Sequence, residues 1–130
     1  LWYKEEGIDA VYLGYKVEED SLKEAINFFK HSEFRGVNVT MPFKEKVLEY
    51  IDVLDDLARQ VGSVNTIKFV DKQVYGYNTD IYGFINTLKY KITSNTTVVV
   101  LGAGGAARSI LYGLKILQIK KITIFNRNIE

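Results

Sequence analysis

Thr97-Val98-Val99-Val100-Leu101, followed at once by Gly102-Ala103-Gly104-Gly105-Ala106-Ala107, is the stretch that decides the fold. Its first half is a continuous apolar run of the kind found in a strand buried on both faces. Its second half fits the dinucleotide pattern Gly-x-Gly-x-x-Gly/Ala at Gly102, Gly104 and Ala107, directly after a strand and opening a helix. The chemistry needs those residues. The first glycine makes the tight turn, the second lets backbone approach a pyrophosphate, and the small third residue lets helix and strand pack closely. The helix start adds unsatisfied N–H groups and partial positive charge for the phosphates. Glycines that served packing alone would leave the same letters, but here both flanks match the dinucleotide context.

Downstream, Arg108–Gln118 is helical in pattern and Lys121–Phe125 is a second β-rich run, which completes a β-turn-α-β unit. An NAD site usually carries Asp or Glu about 20 residues on, to hold the ribose 2′-hydroxyl. This chain has Asn126-Arg127 instead, with no carboxylate until Glu130. A guanidinium pairs bidentately with a 2′-phosphate, so the sequence favours NADP over NAD.

Upstream, Lys91–Asn95 reads as a polar linker, and the residues before it mix strand and helix signals. Ala10–Val17 is β-branched and aromatic and reads as a strand. After a cap at Asp20 or Ser21, Leu22, Ala25, Ile26 and Phe29 recur at amphipathic-helix spacing. Gly36–Thr40 is a short strand stopped by Pro42. A helical stretch spans roughly Lys44 to Gln60, broken near Asp52, with Gly62 at the C-cap. Asn65–Val70 and Gln73–Tyr77 flank Asp71-Lys72 as a hairpin, and Asn78-Thr79-Asp80 caps a helix over Ile81–Tyr90. The predicted class is α/β: an N-terminal mixed-sheet α/β domain over residues 1–92, then the start of a Rossmann dinucleotide-binding domain over 93–130.

Composition narrows the function. The 130 residues are 47% hydrophobic and 25% charged with a net charge of +1, and no Lys/Arg run marks a nucleic-acid binder. No stretch of about 18 apolar residues suits a membrane span. The acidic N-terminus does not read as a signal peptide, so a cytoplasmic location is expected. Cysteine is absent, which removes disulfides and thiolate metal sites, and no metal is expected. His31 reads as a solvated residue near a helix end, and the Tyr and Phe residues as packing.

Three short segments are rich in side chains that bind hydroxyls and carboxylates: Asn38–Lys44, Gly62–Thr66 and Gly76–Asp80. Each sits at the end of a predicted element, where function collects on a rigid frame. Taken singly, they have plain readings: Lys44 as a surface lysine, Thr79 or Asp80 as an N-cap, Asn65 as a turn residue.

Taken together they say more. Asn-Val-Thr-x-Pro-x-Lys, Gly-Ser-Val-Asn-Thr, Gly-Tyr-Asn-Thr-Asp-x-x-Gly, Gly-Ala-Gly-Gly-Ala-Ala-Arg and Asn-Arg occur in one order over residues 36–127, and the whole closely resembles the shikimate dehydrogenase family. The resemblance implies reversible reduction of 3-dehydroshikimate to shikimate by NADPH, on the route to chorismate and the aromatic amino acids. It makes residues 1–92 the substrate-binding and catalytic domain. It implies that Lys44 is the catalytic lysine and Asp80 its partner, and that Thr40 and Asn65 bind substrate hydroxyls. Gly102, Ala103, Gly104, Gly105 and Ala106 match the phosphate turn, and Asn126 and Arg127 the 2′-phosphate clamp. The partners implied are small molecules, on a monomer or homodimer.

The chain also departs from the pattern. Family members run to roughly twice its length, with a Ser-x-Ser loop before the part seen here and a substrate-binding glutamine after it. Asn128 stands where Thr or Ser is usual. A fragment of a longer enzyme is therefore expected, one that binds substrate poorly alone. Two other readings share the frame: a quinate/shikimate dehydrogenase using NAD, and a non-catalytic sensor of shikimate-pathway metabolites.

Overall fold

The structure, a computed structural model, describes residues 2–88 and 92–127. The elements run α1 (Trp2–Glu5), α2 (Leu22–Lys30), β1 (Gly36–Asn38), α3 (Phe43–Lys46), β2 (Val53–Leu54), α4 (Asp56–Val61), β3 (Thr66–Val70), β4 (Gln73–Tyr77), α5 (Asp80–Leu88), β5 (Thr97–Leu101), α6 (Gly105–Ile116) and β6 (Lys121–Phe125). Strands β1–β4 form one mixed sheet in the order β1-β3-β4-β2, antiparallel except for β2 against β4. Strands β5 and β6 pair in parallel, with α6 as their crossover. This is the α/β architecture the sequence predicts. The end of the Ile81–Tyr90 helix at Tyr90, the start of the linker at Lys91, and Asn128 and Glu130 lie outside the described residues.

Physical chemistry explains the elements. In α2 the residues Leu22, Ile26 and Phe29 are all buried, and Leu22 and Ile26 pack on Val64, Ile67 and Val74 of the sheet region. The hairpin turns at Asp71 and Lys72, whose φ angles of 48° and 59° give the twist that suits right-handed strands. Helix α4 starts on Asp55, whose carboxylate accepts from Leu57 N and Ala58 N, and ends on Gly62 at φ 63°, where a Cβ would be strained.

Three sequence expectations need correction. Ala10–Val17 forms no ladder among the described residues; Val11, Tyr12 and Leu13 stay 82%, 67% and 62% exposed. The edge strands β1 and β2 each keep an unpaired side, yet the segment touches β1 through a side chain, Tyr12 OH on Asn38 Oδ1, and forms no ladder with it. Propensity alone does not pair a strand. The break near Asp52 is a change of element. Asp52 N and Asp55 N donate to Val74 O and Gly76 O, and the β-branched segment between them joins the sheet as β2. Lastly, the described residues do not cover β5 on both faces, since only Val100 of the strand is buried while Val99 and Leu101 are 55% and 81% exposed. Helix α6 covers one face through Ala107 and Leu114, and no described element covers the other.

The Asp52 carboxylate also accepts from Lys30 Nζ and Val74 N, both at 2.9 Å. The Lys30 bond, with Val74 N–H behind it, holds this carboxyl below its ordinary value of 3.8 despite partial desolvation. A depressed folded value stabilises the fold above pH 3.8 and loses that contribution as the pH falls through the folded value. Asp52→Asn is therefore expected to lower the melting temperature slightly near neutral pH, with the difference closing in acid below that range. Melting curves against pH check this, and a difference unchanged in acid contradicts it.

Candidate active site

The candidate side chains Asn38, Lys44, Asn65 and Asp80 collect at one end of the four-stranded sheet. Asn38 ends β1 opposite Thr66, which starts β3, and Thr66 in turn faces Tyr77, which ends β4. Backbone bonds fix the loops that leave this end: Val39 N to Asn65 O at 2.8 Å, Asn65 N to Tyr77 O at 3.0 Å and Val64 N to Lys44 O at 2.8 Å. Helices α3 and α5 start beside it, and they bring Lys44 and Asp80 together.

Lys44 Nζ donates to Asp80 Oδ2 at 2.7 Å, and Asn65 Nδ2 donates to Asp80 Oδ1 at 2.7 Å. Asn65 is the hub. Its Nδ2 also reaches Thr79 Oγ1 at 3.0 Å, while its Oδ1 accepts from Thr79 N at 2.9 Å and Thr66 Oγ1 at 3.0 Å. Asn38 Nδ2 extends the network to Thr66 Oγ1 at 3.3 Å, and Tyr12 OH closes it on Asn38 Oδ1 at 3.0 Å. Asn65 itself is 8% exposed, so its bonds hold it in one orientation.

These bonds bear on the plain readings of Thr79, Asp80 and Lys44. The Thr79 hydroxyl and the Asp80 carboxylate turn to Asn65 and Lys44, so their side chains are not spent on capping α5. The side chains of Lys44 and Asp80 are 21% and 36% exposed, and a pair this open adds at most about 1 kcal/mol to stability. A charged pair on a rigid, half-open frame suits chemistry better than it suits folding. Thr40 lies apart: it is exposed, its carbonyl accepts from Phe43 N, and no bond of the network reaches its hydroxyl. Thr66 and Thr79 join the network although the sequence does not single them out for a binding role; both lie inside the polar segments Gly62–Thr66 and Gly76–Asp80.

The glycine turn forms a second locus. Gly102 has φ 98°, and a Cβ built on Gly102 or Gly104 would meet nothing within 4 Å, so backbone there is open to a ligand. No side chain caps the first turn of the 12-residue α6. Gly102, Phe125, Asn126 and Arg127 line a cleft of about 310 Å³ at the β5–β6 strand ends. An open phosphate turn, an uncapped helix start and an arginine at the next strand end fit a dinucleotide with a 2′-phosphate. Among the described residues no group of acidic, His or Cys side chains is placed to hold a metal ion. No described helix is long and apolar enough to cross a membrane.

Residues 1–67 match the family model for the shikimate dehydrogenase substrate binding domain. The chain belongs to the shikimate dehydrogenase family. Against the shikimate dehydrogenase (NADP(+)) of Aquifex aeolicus (strain VF5), this family member is 41% identical over 126 residues, 95% of this chain and 46% of that protein. The crystal structure of shikimate dehydrogenase from Aquifex aeolicus superposes with a TM-score of 0.91 at 40% identity, covering 98% of this chain and 48% of that one. The shikimate 5-dehydrogenase of Thermus thermophilus in complex with NADP(H) and shikimate gives 0.88 at 32% identity, over 96% and 48%. The chain thus spans about half the length of the curated relatives it matches.

Proposed function

We propose that this chain supplies the catalytic pair and the phosphate turn of an NADP-dependent shikimate dehydrogenase, which interconverts 3-dehydroshikimate and shikimate. The observation that carries the proposal is the Lys44–Asp80–Asn65 network at the open sheet end. Residues 1–92 act as the substrate half, and residues from 93 onward as part of the dinucleotide half. The NADP-dependent relatives support the cofactor, and the structure that holds NADP(H) and shikimate supports the substrate.

Bound NADPH supplies the hydride. As the ketone carbon is reduced, its oxygen gains alkoxide character, and the Lys44 ammonium is placed to stabilise that charge and protonate it. Asp80 holds the ammonium at 2.7 Å and offers a carboxylate oxygen to a neighbouring substrate hydroxyl. Asn65 fixes the Asp80 carboxylate, and the substrate hydroxyl must compete with the bonds that now saturate the Asn65 amide. Thr40, exposed and outside the network, presents a free-standing hydroxyl at the rim for a further substrate contact. At the other locus Gly102 to Ala106 hold the pyrophosphate, and Asn126 and Arg127 the 2′-phosphate.

The test is an assay on the full-length polypeptide. It is expected to consume NADPH with 3-dehydroshikimate, to use NADH poorly, and to oxidise shikimate in preference to quinate. Efficient quinate oxidation with NAD would move it to the quinate class. Ligand binding without turnover would make it a sensor.

A further inference from the structure

We propose that Glu45 and Arg108 are positioning residues, a strut that sets the separation between the Lys44 ammonium and the dinucleotide turn. The proposal rests on the dehydrogenase reading above. Glu45 follows Lys44 directly on α3, and its Oε2 lies 3.2 Å from Nη1 of Arg108 in the first turn of α6. One short helix thus places consecutive residues on two different tasks: Lys44 meets Asp80, and Glu45 meets the helix that the phosphate turn opens. The arginine of the glycine motif therefore points into the substrate half.

The rest of α6 explains why a strut is needed. At Gly113 the helix packs so closely on α5 that a Cβ would come 2.8 Å from Phe84 Cδ1. At Ser109 the hydroxyl accepts from the buried Asn78 Nδ2 at 3.0 Å. Gly105 lies eight residues from Gly113, about 12 Å along the axis. At that end a Cβ on Gly105 would stand 3.4 Å from Glu45 Oε1. The helix is pinned along its middle, at Ser109 and Gly113, while its first residue, Gly105, rests against a glutamate. The side chains of the pair are 52% and 46% exposed, so it adds little to stability; what it fixes is the tilt of α6. Tilt matters because a displacement of about 1 Å between reacting groups costs up to about 100-fold in rate.

The experiment uses the full-length enzyme with Glu45→Gln, Arg108→Gln, both together, and the charge swap Glu45→Arg/Arg108→Glu. Each single variant is expected to lower kcat about fivefold, within the range such misplacement allows. The double variant should be no worse, and the swap should recover most of the loss. The KM for 3-dehydroshikimate and the Kd for NADPH, read by its fluorescence, should stay put. Hydrogen exchange without ligand gives an independent readout. Amides of the first turn, including Ala107 and Arg108, which both donate to Gly104 O, should exchange faster in the single variants and regain protection in the swap. Unchanged kcat and exchange would overturn the strut. So would a raised NADPH Kd in Arg108→Gln alone, since Arg108 would then be a phosphate ligand. If wild type fails to reduce 3-dehydroshikimate, the dehydrogenase reading falls, while the exchange data still decide whether the strut holds α6.

Discussion

Lys44→Ala is expected to lower kcat for 3-dehydroshikimate reduction by about 10²–10⁴-fold, the usual worth of a positioned proton donor, with NADPH affinity unchanged. The split follows from geometry. Lys44 sits in the network at the sheet end and bonds Asp80 at 2.7 Å, while the phosphate turn and Arg127 lie on the other half of the chain. Folding should survive, because the Asp80 side chain is 36% exposed and water can solvate it when the ammonium is gone. Lys44→Arg sharpens the test. It keeps the charge beside Asp80, but a guanidinium does not give up a proton, so activity should stay low. Full rescue by arginine would reduce Lys44 to an electrostatic role. Steady-state kinetics with both ligands varied, alongside NADPH binding, separates these outcomes.

Arg127→Ala should weaken NADPH binding by about 1.5–3 kcal/mol, the cost of losing charged hydrogen bonds, and leave NADH binding nearly unchanged. In affinity that is roughly ten- to hundredfold. Arg127 lines the cleft at the end of β6 together with Gly102 and Asn126, and the chain carries no carboxylate between them to favour a free 2′-hydroxyl. Raising the salt concentration should narrow the difference between the two cofactors, because exposed charge pairs are screened. An unchanged NADPH-to-NADH preference in Arg127→Ala would remove the arginine from the clamp.

Much of this was legible in the sequence because local rules were sufficient there. The hairpin at Asp71-Lys72, the Gly62 cap and the α2 stripe each depend on residues a few positions apart. The candidate site stood out for another reason: polar residues at several element ends mean little singly, but their joint order matches a family pattern. What stayed hidden depended on neighbours distant in the chain. Ala10–Val17 has the composition of a strand, yet it pairs with neither free edge of the four-stranded sheet. Val53 and Leu54 joined the sheet only because β4 offered its free side. Val99 and Leu101 read as buried, yet no described element covers them. The saturation of Asn65 by five bonds to Asp80, Thr79 and Thr66 also needed coordinates, since spacing does not say that these loops converge.

Lys44, Asp80 and Asn65 are proposed to hold the reacting end of a shikimate-like substrate. The most direct measurement is a crystal structure of the full-length enzyme with shikimate and NADP. The reacting hydroxyl is expected within hydrogen-bond reach of Lys44 Nζ, about 2.6–3.2 Å, with a neighbouring hydroxyl on Asp80 or Asn65. Shikimate bound elsewhere, with Lys44 still paired to Asp80 alone, would contradict it.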